Sequence, residues 1–280
     1  MDFSETLLSR VEDAGLNASA PPQQRWLDGW LLRTNPGEAR RARCVNALAT
    51  GRLPVDEKLA LAQQWFHECG VPMMVRITRF TQPAHLDDTL AQRGWPLLGN
   101  THVLVLASPA LPAAAQPNSA ADPATDPTTD AATDPATDAA PPEGLQWQTL
   151  GADAYAAVVG TLRGSPPDQQ RAHAERLRSS PVPYCGFALA RNDGQVLACG
   201  QSAREGAMVG LYDIFTHPDA RGLGLSSWLC KRMLSLATRN GVSLAYLQVE
   251  ADNHAAQAVY RRLGFAYGYS YHYRQAPEAG

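Results

Sequence analysis

Residues 108–143 hold eight prolines, twelve alanines and six acidic residues, with no Lys or Arg. Proline lacks an amide hydrogen and fixes its own φ, so so dense a run of it supports neither a helix interior nor a sheet. The stretch also has too few large apolar side chains to offset the entropy of ordering it. A loose Ala-Thr-Asp-Pro pattern recurs around Asp122-Pro123, Asp126-Pro127 and Asp134-Pro135. The segment reads as a disordered, semi-extended linker. On either side lie 1–107 and 144–280, each long enough to build a core. The 280-residue chain is therefore expected to form two domains.

Charge divides with the chain. There are 11 basic and 11 acidic residues before the linker, and 13 basic against 10 acidic after it. A net charge of -3 for the whole gives no electrostatic footprint for nucleic acid, while the second domain's positive excess suits an anionic ligand. No run of about 18 apolar residues exists, so no membrane span is expected. The start, Met1-Asp2-Phe3-Ser4-Glu5, lacks the basic and apolar parts of a signal peptide, and a cytoplasmic location is expected. Five cysteines (Cys44, Cys69, Cys185, Cys199, Cys230) are an odd number without a Cys-x-x-Cys pair. They read as buried free thiols, with neither a disulfide frame nor a metal site.

Hydropathy patterning predicts a mixed α/β fold in both parts. In the first, a helix is expected near Glu5–Ala14, then strands at Arg25–Arg33 and Ala39–Leu48 with a turn at Asn35-Pro36-Gly37. A helix at Val55–Cys69, a strand at Met73–Arg79, a helix at Leu86–Arg93 and a strand at Thr101–Leu106 follow. In the second, a strand at Leu145–Leu150 precedes helices at Ala154–Arg163 and Asp168–Ser179. A hairpin turns at Asn192-Asp193-Gly194 between strands Tyr184–Arg191 and Gln195–Ala203. A strand at Met208–Thr216 leads to a helix at Leu223–Arg239. A strand at Leu244–Glu250, a helix at His254–Leu263 and a strand at Ala266–Arg274 complete the order.

The most informative stretch is Ile214-Phe215-Thr216-His217-Pro218-Asp219-Ala220-Arg221-Gly222-Leu223-Gly224-Leu225-Ser226. A strand runs into a short loop with two glycines, and a long helix begins at once. Glycines let a ligand approach the backbone, and the first helical turn offers unsatisfied N–H groups at the positive end of its dipole. Phosphate oxygens suit that arrangement, each N–H to a charged oxygen contributing about 1.5–3 kcal/mol. Arg221 adds a cation at the lip. The loop is not a Walker loop, since no Gly-Lys-Ser/Thr follows, and it lacks the third glycine of the dinucleotide fingerprint. About thirty residues on, a strand ends at Asn253 and a short helix carries Tyr260 before Leu263-Gly264-Phe265.

Together these two segments resemble the GNAT superfamily of acyl-CoA-dependent N-acyltransferases. The family's loop, Arg/Gln-x-x-Gly-x-Gly/Ala, matches Arg221, Gly224 and Ser226, with Ser departing at the last position. Its later pattern, Asn-x-x-Ala-x-x-x-Tyr-x-x-x-Gly-Phe, matches Asn253, Ala256, Tyr260, Gly264 and Phe265. The resemblance covers about 144–275. It implies a GNAT fold for the C-terminal domain, a mixed sheet whose middle strands splay where the cofactor enters, with acetyl-CoA as cosubstrate and no metal. The backbone of Ile214, Phe215 and Thr216 would pair with the pantetheine arm. The amides of Gly222, Leu223, Gly224, Leu225 and Ser226 would cradle the pyrophosphate beside Arg221, with Asn253 near the pantetheine and Tyr260 near the thioester sulfur.

The reaction so implied needs an amine that has lost a proton and a thiolate that gains one. Tyr260 is the candidate acid. Where some family members carry a catalytic Glu, twelve residues ahead of the Tyr, this chain has Gln248, which cannot accept a proton. Asp213 and Glu250 are the candidate bases, acting through water, and each could equally be a solvated or hydrogen-bonded carboxylate. His217 and His254 are expected to be loop and helix-cap residues. Tyr267, Tyr269, Tyr271 and Tyr273 alternate on one face of the last strand and read as sheet packing.

The first domain resembles a smaller, degenerate GNAT-like fold without the glycine loop or the Asn/Tyr pattern. It is expected to cover one edge of the catalytic domain; alternatively Arg40, Arg41 and Arg43 help bind an acidic acceptor. The acceptor, a small-molecule or peptide amine, is left open by the sequence. A non-catalytic acyl-CoA-sensing module is the rival reading, and it would account for Gln248.

Overall fold

A computed structural model describes residues 2–107 and 140–277. Nearly all of the expected linker lies outside the described residues. The order begins α1 (Glu5–Ala18), β1 (Gln23–Leu27), β2 (Trp30–Thr34), β3 (Val45–Ala47), α2 (Val55–Glu68), β4 (Met74–Ile77), α3 (Leu86–Gln92) and β5 (Leu97–Ala107). It continues with β6 (Leu145–Leu150), α4 (Ala152–Arg163), α5 (Pro167–Arg178), β7 (Tyr184–Arg191), β8 (Val196–Glu205) and β9 (Met208–Thr216). Then come α6 (Leu225–Arg239), β10 (Leu244–Glu250), α7 (His254–Arg262) and β11 (Ala266–Gln275). Several second-half strands fall where hydropathy puts them, to the residue.

All eleven strands join one mixed sheet, in the order β1-β2-β3-β4-β11-β5-β10-β9-β8-β7-β6. The halves interlock at its centre. β5, the last strand of the first half, lies between β10 and β11 of the second, antiparallel to both. β11 in turn pairs with β4 of the first half. On either side of this central pair stands a parallel pair, β3 with β4 and β9 with β10, so the two halves repeat one arrangement about β11 and β5. The boundaries at 107 and 144 divide the chain without dividing the sheet.

The core follows the alternation of the strands. On β5, Leu104 faces α6 and α7, in a cluster with Leu211, Leu229, Met233 and Leu247. Val103 and Val105 face α1, packed among Leu8, Val11, Tyr212 and Tyr246. A separate first-half cluster joins Trp30, Leu32, Val75, Leu59, Phe66, Leu86 and Leu90. Helix α1 is fastened across both halves by a buried ion pair. Glu12 holds Arg76 of β4 and accepts a 2.5 Å hydrogen bond from the Tyr269 hydroxyl of β11.

Three expectations are corrected. The single strand Arg25–Arg33 is a hairpin that turns at Asp28-Gly29, where both residues take positive φ, 42° and 84°. That is the backbone of a two-residue hairpin turn, which Asp-Gly tolerates better than other pairs. The tyrosine stripe is broken by a register shift between Tyr267 and Tyr269, which leaves Tyr267 exposed while Tyr269, Tyr271 and Tyr273 are buried. Not all thiols are buried, since Cys69 at the end of α2 is exposed.

The interlocked sheet has a direct consequence. Residues 1–107 and 144–280 produced as separate chains in one cell are expected to co-purify one to one, because β5 completes the sheet of the other half. Isolation of a stable, monodisperse second half without the first would contradict the interlocking.

Candidate active site

The site begins with strands that stop pairing. β9 and β10 bond in parallel only from Met208 to Leu211 and from Leu244 to Leu247. Beyond that point each strand is held by its outer neighbour instead. β8 stays bonded to β9 as far as Thr216, and β5 to β10 as far as Glu250. A gap therefore opens inside the sheet, with the inner edge of Tyr212–Thr216 free to bond an extended ligand. A bulge accompanies it. Two residues of β9, Asp213 and Ile214, face one of β8, and Asp213 takes φ 50°.

One cleft brings the expected donor residues together. It is lined by Ile214, Phe215, Thr216, Arg221, Gly222, Gly224, Leu225, Ser226, Asn253 and Tyr260. Gly224 is the N-cap of α6 at φ 75°, a backbone that side chains disfavour, and space is open where a Cβ would stand. It offers no side chain to the helix, and the first turn of α6 holds no acidic residue. The amides and dipole of that turn are thus available to an anion. Leu223 does not line the cleft; its side chain is exposed. The Asn253 side chain caps α7, its Oδ1 accepting from the Ala256 amide at 3.1 Å.

Tyr260 is 7% exposed, and its ring meets Phe265 edge-on. Among the described residues no hydrogen bond holds its hydroxyl. Burial raises that hydroxyl's pKa well above the ordinary tyrosine value, with a lesser push from Cys230. It keeps its proton at neutral pH and can release it only to a strong base generated beside it.

The expected bases sit elsewhere. Asp213 lines a second cavity, between the two halves. Its neighbour Ile214 packs instead toward the core beneath α6, so consecutive residues of β9 serve the two hollows. The Asp213 carboxylate accepts from Gln201 Nε2 at 2.6 Å and pairs with Arg163 at 3.1 Å. Burial pushes its pKa up, but Arg163, His173, Arg176 and Arg41 together outweigh that and hold it below the usual carboxylate value. So stabilised an anion is a weak proton acceptor. Glu250 is exposed at the end of β10 and lines neither hollow. His217 caps the turn after β9 through Nδ1 and the Asp219 amide, and His254 opens α7.

Two residues complete the second cavity: His173, which patterning passed over, and Arg41, one of the three arginines that the alternative reading of the first domain gives to an acidic acceptor. His173 of α5 lies with Nε2 3.5 Å from Asp213, buried and without a hydrogen-bond partner. Burial lowers its pKa to about 4 against the attraction of Asp213, with Arg176 and Arg163 adding repulsion, so the ring is neutral near pH 7. Arg41 comes from the first half and donates to Gln248 Oε1, which also accepts from the Tyr271 hydroxyl at 2.8 Å. The position where a family Glu would stand is thus tied to the first half. No local signal ties either residue to Asp213 or Gln248, because both gain their place through contacts distant in sequence.

Residues 163–265 match the acetyltransferase (GNAT) family. The uncharacterized N-acetyltransferase YobR of Bacillus subtilis (strain 168) is 22% identical over 251 residues, 90% of this chain and 91% of that protein. The mycothiol acetyltransferase of Streptomyces coelicolor is 34% identical over 134 residues, 44% of this chain and 43% of that protein. The match thus spans less than half of that relative's length. Among solved structures, a GCN5-related N-acetyltransferase from Kribbella flavida superposes with a TM-score of 0.64 at 14% identity, over 97% of this chain and 96% of that one. The second half is an acetyltransferase domain of the GNAT family. The whole chain shares the fold of GNAT structures, including a tandem GNAT protein.

Among the described residues no helix is long and apolar enough to cross a membrane.

The anion cradle gives a test in which two effects have opposite signs. Ser226→Asp puts a carboxylate in the first turn of α6, where the dipole favours it by about 0.3–1 kcal/mol. The melting temperature should hold or rise. Coenzyme A affinity by calorimetry should fall by about tenfold or more, since the same charge repels the pyrophosphate. Unchanged affinity would mean that the loop only connects a strand to a helix.

Proposed function

We propose that the protein moves an acetyl group from acetyl-CoA to a primary amine by direct attack of the amine on the thioester. The observation that carries this reading is the gap between β9 and β10, with a phosphate-suited loop and Tyr260 on one side and an enclosed polar cavity on the other. In this reading the pyrophosphate rests on the first turn of α6 and the pantetheine lies along the free edge of Ile214–Thr216. The acetyl group then reaches the gap from the α6 face of the sheet. The amine enters from the cavity that Asp213 lines.

Each group then has a task its environment suits. The lowered pKa of Asp213 keeps it an anion that attracts the incoming ammonium rather than a base that strips it. The free amine forms by exchange with solvent, a small demand for an α-amine of pKa about 8. As the carbon–sulfur bond breaks, the electron pair leaves with sulfur and Tyr260 gives it the proton that makes coenzyme A the thiol product, while the nitrogen, in becoming an amide, loses one proton that returns through water to the Tyr260 oxygen. Gln248 favours the rival reading, an acyl-CoA sensor, because its amide cannot take a proton and is occupied by Arg41 and Tyr271. Release of free thiol from acetyl-CoA with a panel of amines separates the two.

The role of Tyr260 has its own test. Tyr260→Phe removes one proton donor and little packing, so acetyl transfer in a single turnover should slow by about 10²–10⁴-fold while coenzyme A affinity stays within a few-fold. Transfer at the unsubstituted rate would remove Tyr260 from the chemistry.

A further inference from the structure

The cavity between the halves carries more positive charge than its own residues neutralise. Five charged side chains line it: Arg41, Arg163, Arg176, Asp213 and Glu38. Three guanidiniums against two carboxylates leave one net positive charge, since His173 is neutral near pH 7. Arg163 is paired with Asp213. Arg41 and Arg176 are not: among the described residues neither has a carboxylate within ion-pair distance. Arg176 is 8% exposed; its Nη1 reaches the Ala18 carbonyl at 3.4 Å, and it also meets the neutral Tyr184 side chain. Arg41 donates to the neutral Gln248 amide and lies 5.4 Å over the Tyr212 ring. Both guanidiniums act on Asp213 only beyond ion-pair distance, and that carboxylate is already paired with Arg163, so a guanidinium withdrawn from water here is costly unless a ligand supplies an anion of its own. Their planar donors match a carboxylate.

The sign and number of the charges narrow the ligand. A dianionic phosphate would exceed the single net charge and meet Asp213 and Glu38 in the same hollow. A monoanion that also carries an ammonium would use both kinds of wall. The ammonium has its partner in Asp213, next in the chain to Ile214 of the donor cleft. The carboxylate has its partners in Arg41, from the first half, and Arg176, from the second.

We propose that the acceptor is an amine bearing a carboxylate, of the amino-acid class, and that Arg41 and Arg176 bind that carboxylate across the junction of the two halves. The inference rests on the acetyl-transfer reading. It also gives the first half a part in choosing the substrate. In the bound state the ligand's amine faces the gap between β9 and β10, and its carboxylate closes the charge balance of the cavity.

The test compares sets of three ligands that share one side chain: an amino acid, its amide and its decarboxylated amine. With the intact protein, the free amino acid of the best set should have a kcat/KM at least tenfold above those of the other two. Arg41→Gln should shrink that ratio to about twofold, Arg41→Lys should keep part of it, and coenzyme A affinity should report an undisturbed donor side. Calorimetry on the coenzyme A-saturated protein, which needs no turnover, should show the same order of binding. Equal kcat/KM across every set, or an Arg41→Gln variant that slows all three alike, would overturn the carboxylate site. Failure to acetylate any amine would instead contradict the acetyl-transfer reading. The calorimetric comparison would then decide the carboxylate site by itself: tenfold tighter binding of the amino acid than of its amide supports it, and equal binding overturns it.

Discussion

The parting of β9 and β10 governs what the molecule can do. A sheet interior that stops pairing leaves backbone N–H and C=O groups without partners, which is costly unless water or a ligand takes their place. Here the gap is held from outside, because β8 fixes β9 and β5 fixes β10 well beyond the last parallel bond at Leu211 and Leu247. At the bulge, Asp213 lines the cavity between the halves while Ile214 packs beneath α6. A ligand entering this gap finds a preformed edge to bond, and the protein has little left to reorganise when it binds.

The interlocked centre of the sheet explains why the first half matters to a site whose motifs lie in the second. β5 is the strand that fixes β10, so the wall of the gap is built by residues 97–107. The Glu12–Arg76–Tyr269 cluster fastens α1 over that junction. A buried pair of this kind is weak evidence of net stability, but removing one partner typically costs about 3–5 kcal/mol, so it fixes the arrangement of the halves. From there Arg41 reaches Gln248, 207 residues away in sequence. The first half is thus more than a cover for one edge, since it supplies a wall of the gap and a guanidinium to the cavity.

What could be read from the sequence was local. The strand, glycine loop and helix around Ile214–Ser226, and the Asn253–Phe265 segment, stand where their spacing put them, because caps, turns and hydropathy period act over a few residues. The Asp193-Gly194 hairpin was legible for the same reason. Asp28-Gly29 carries the same signal, and it was overridden by the continuous apolar look of Trp26–Leu32. The exchange of β5 and β11 could not be read, since nothing local says which neighbour a strand will choose. His173 escaped for that reason too, and so did the pairing of Arg41 with Gln248, although Arg41 itself was among the arginines set aside for an acidic acceptor.

The central claim is that one acyl-CoA molecule lies from the first turn of α6 along the inner edge of β9. Amide hydrogen exchange with and without acetyl-CoA tests it most directly. The account predicts slowed exchange concentrated in Ile214–Thr216 and Gly222–Ser226, with the outer strands β1 and β6 unchanged. Protection elsewhere, with these two segments exchanging as they do in the free protein, would contradict it.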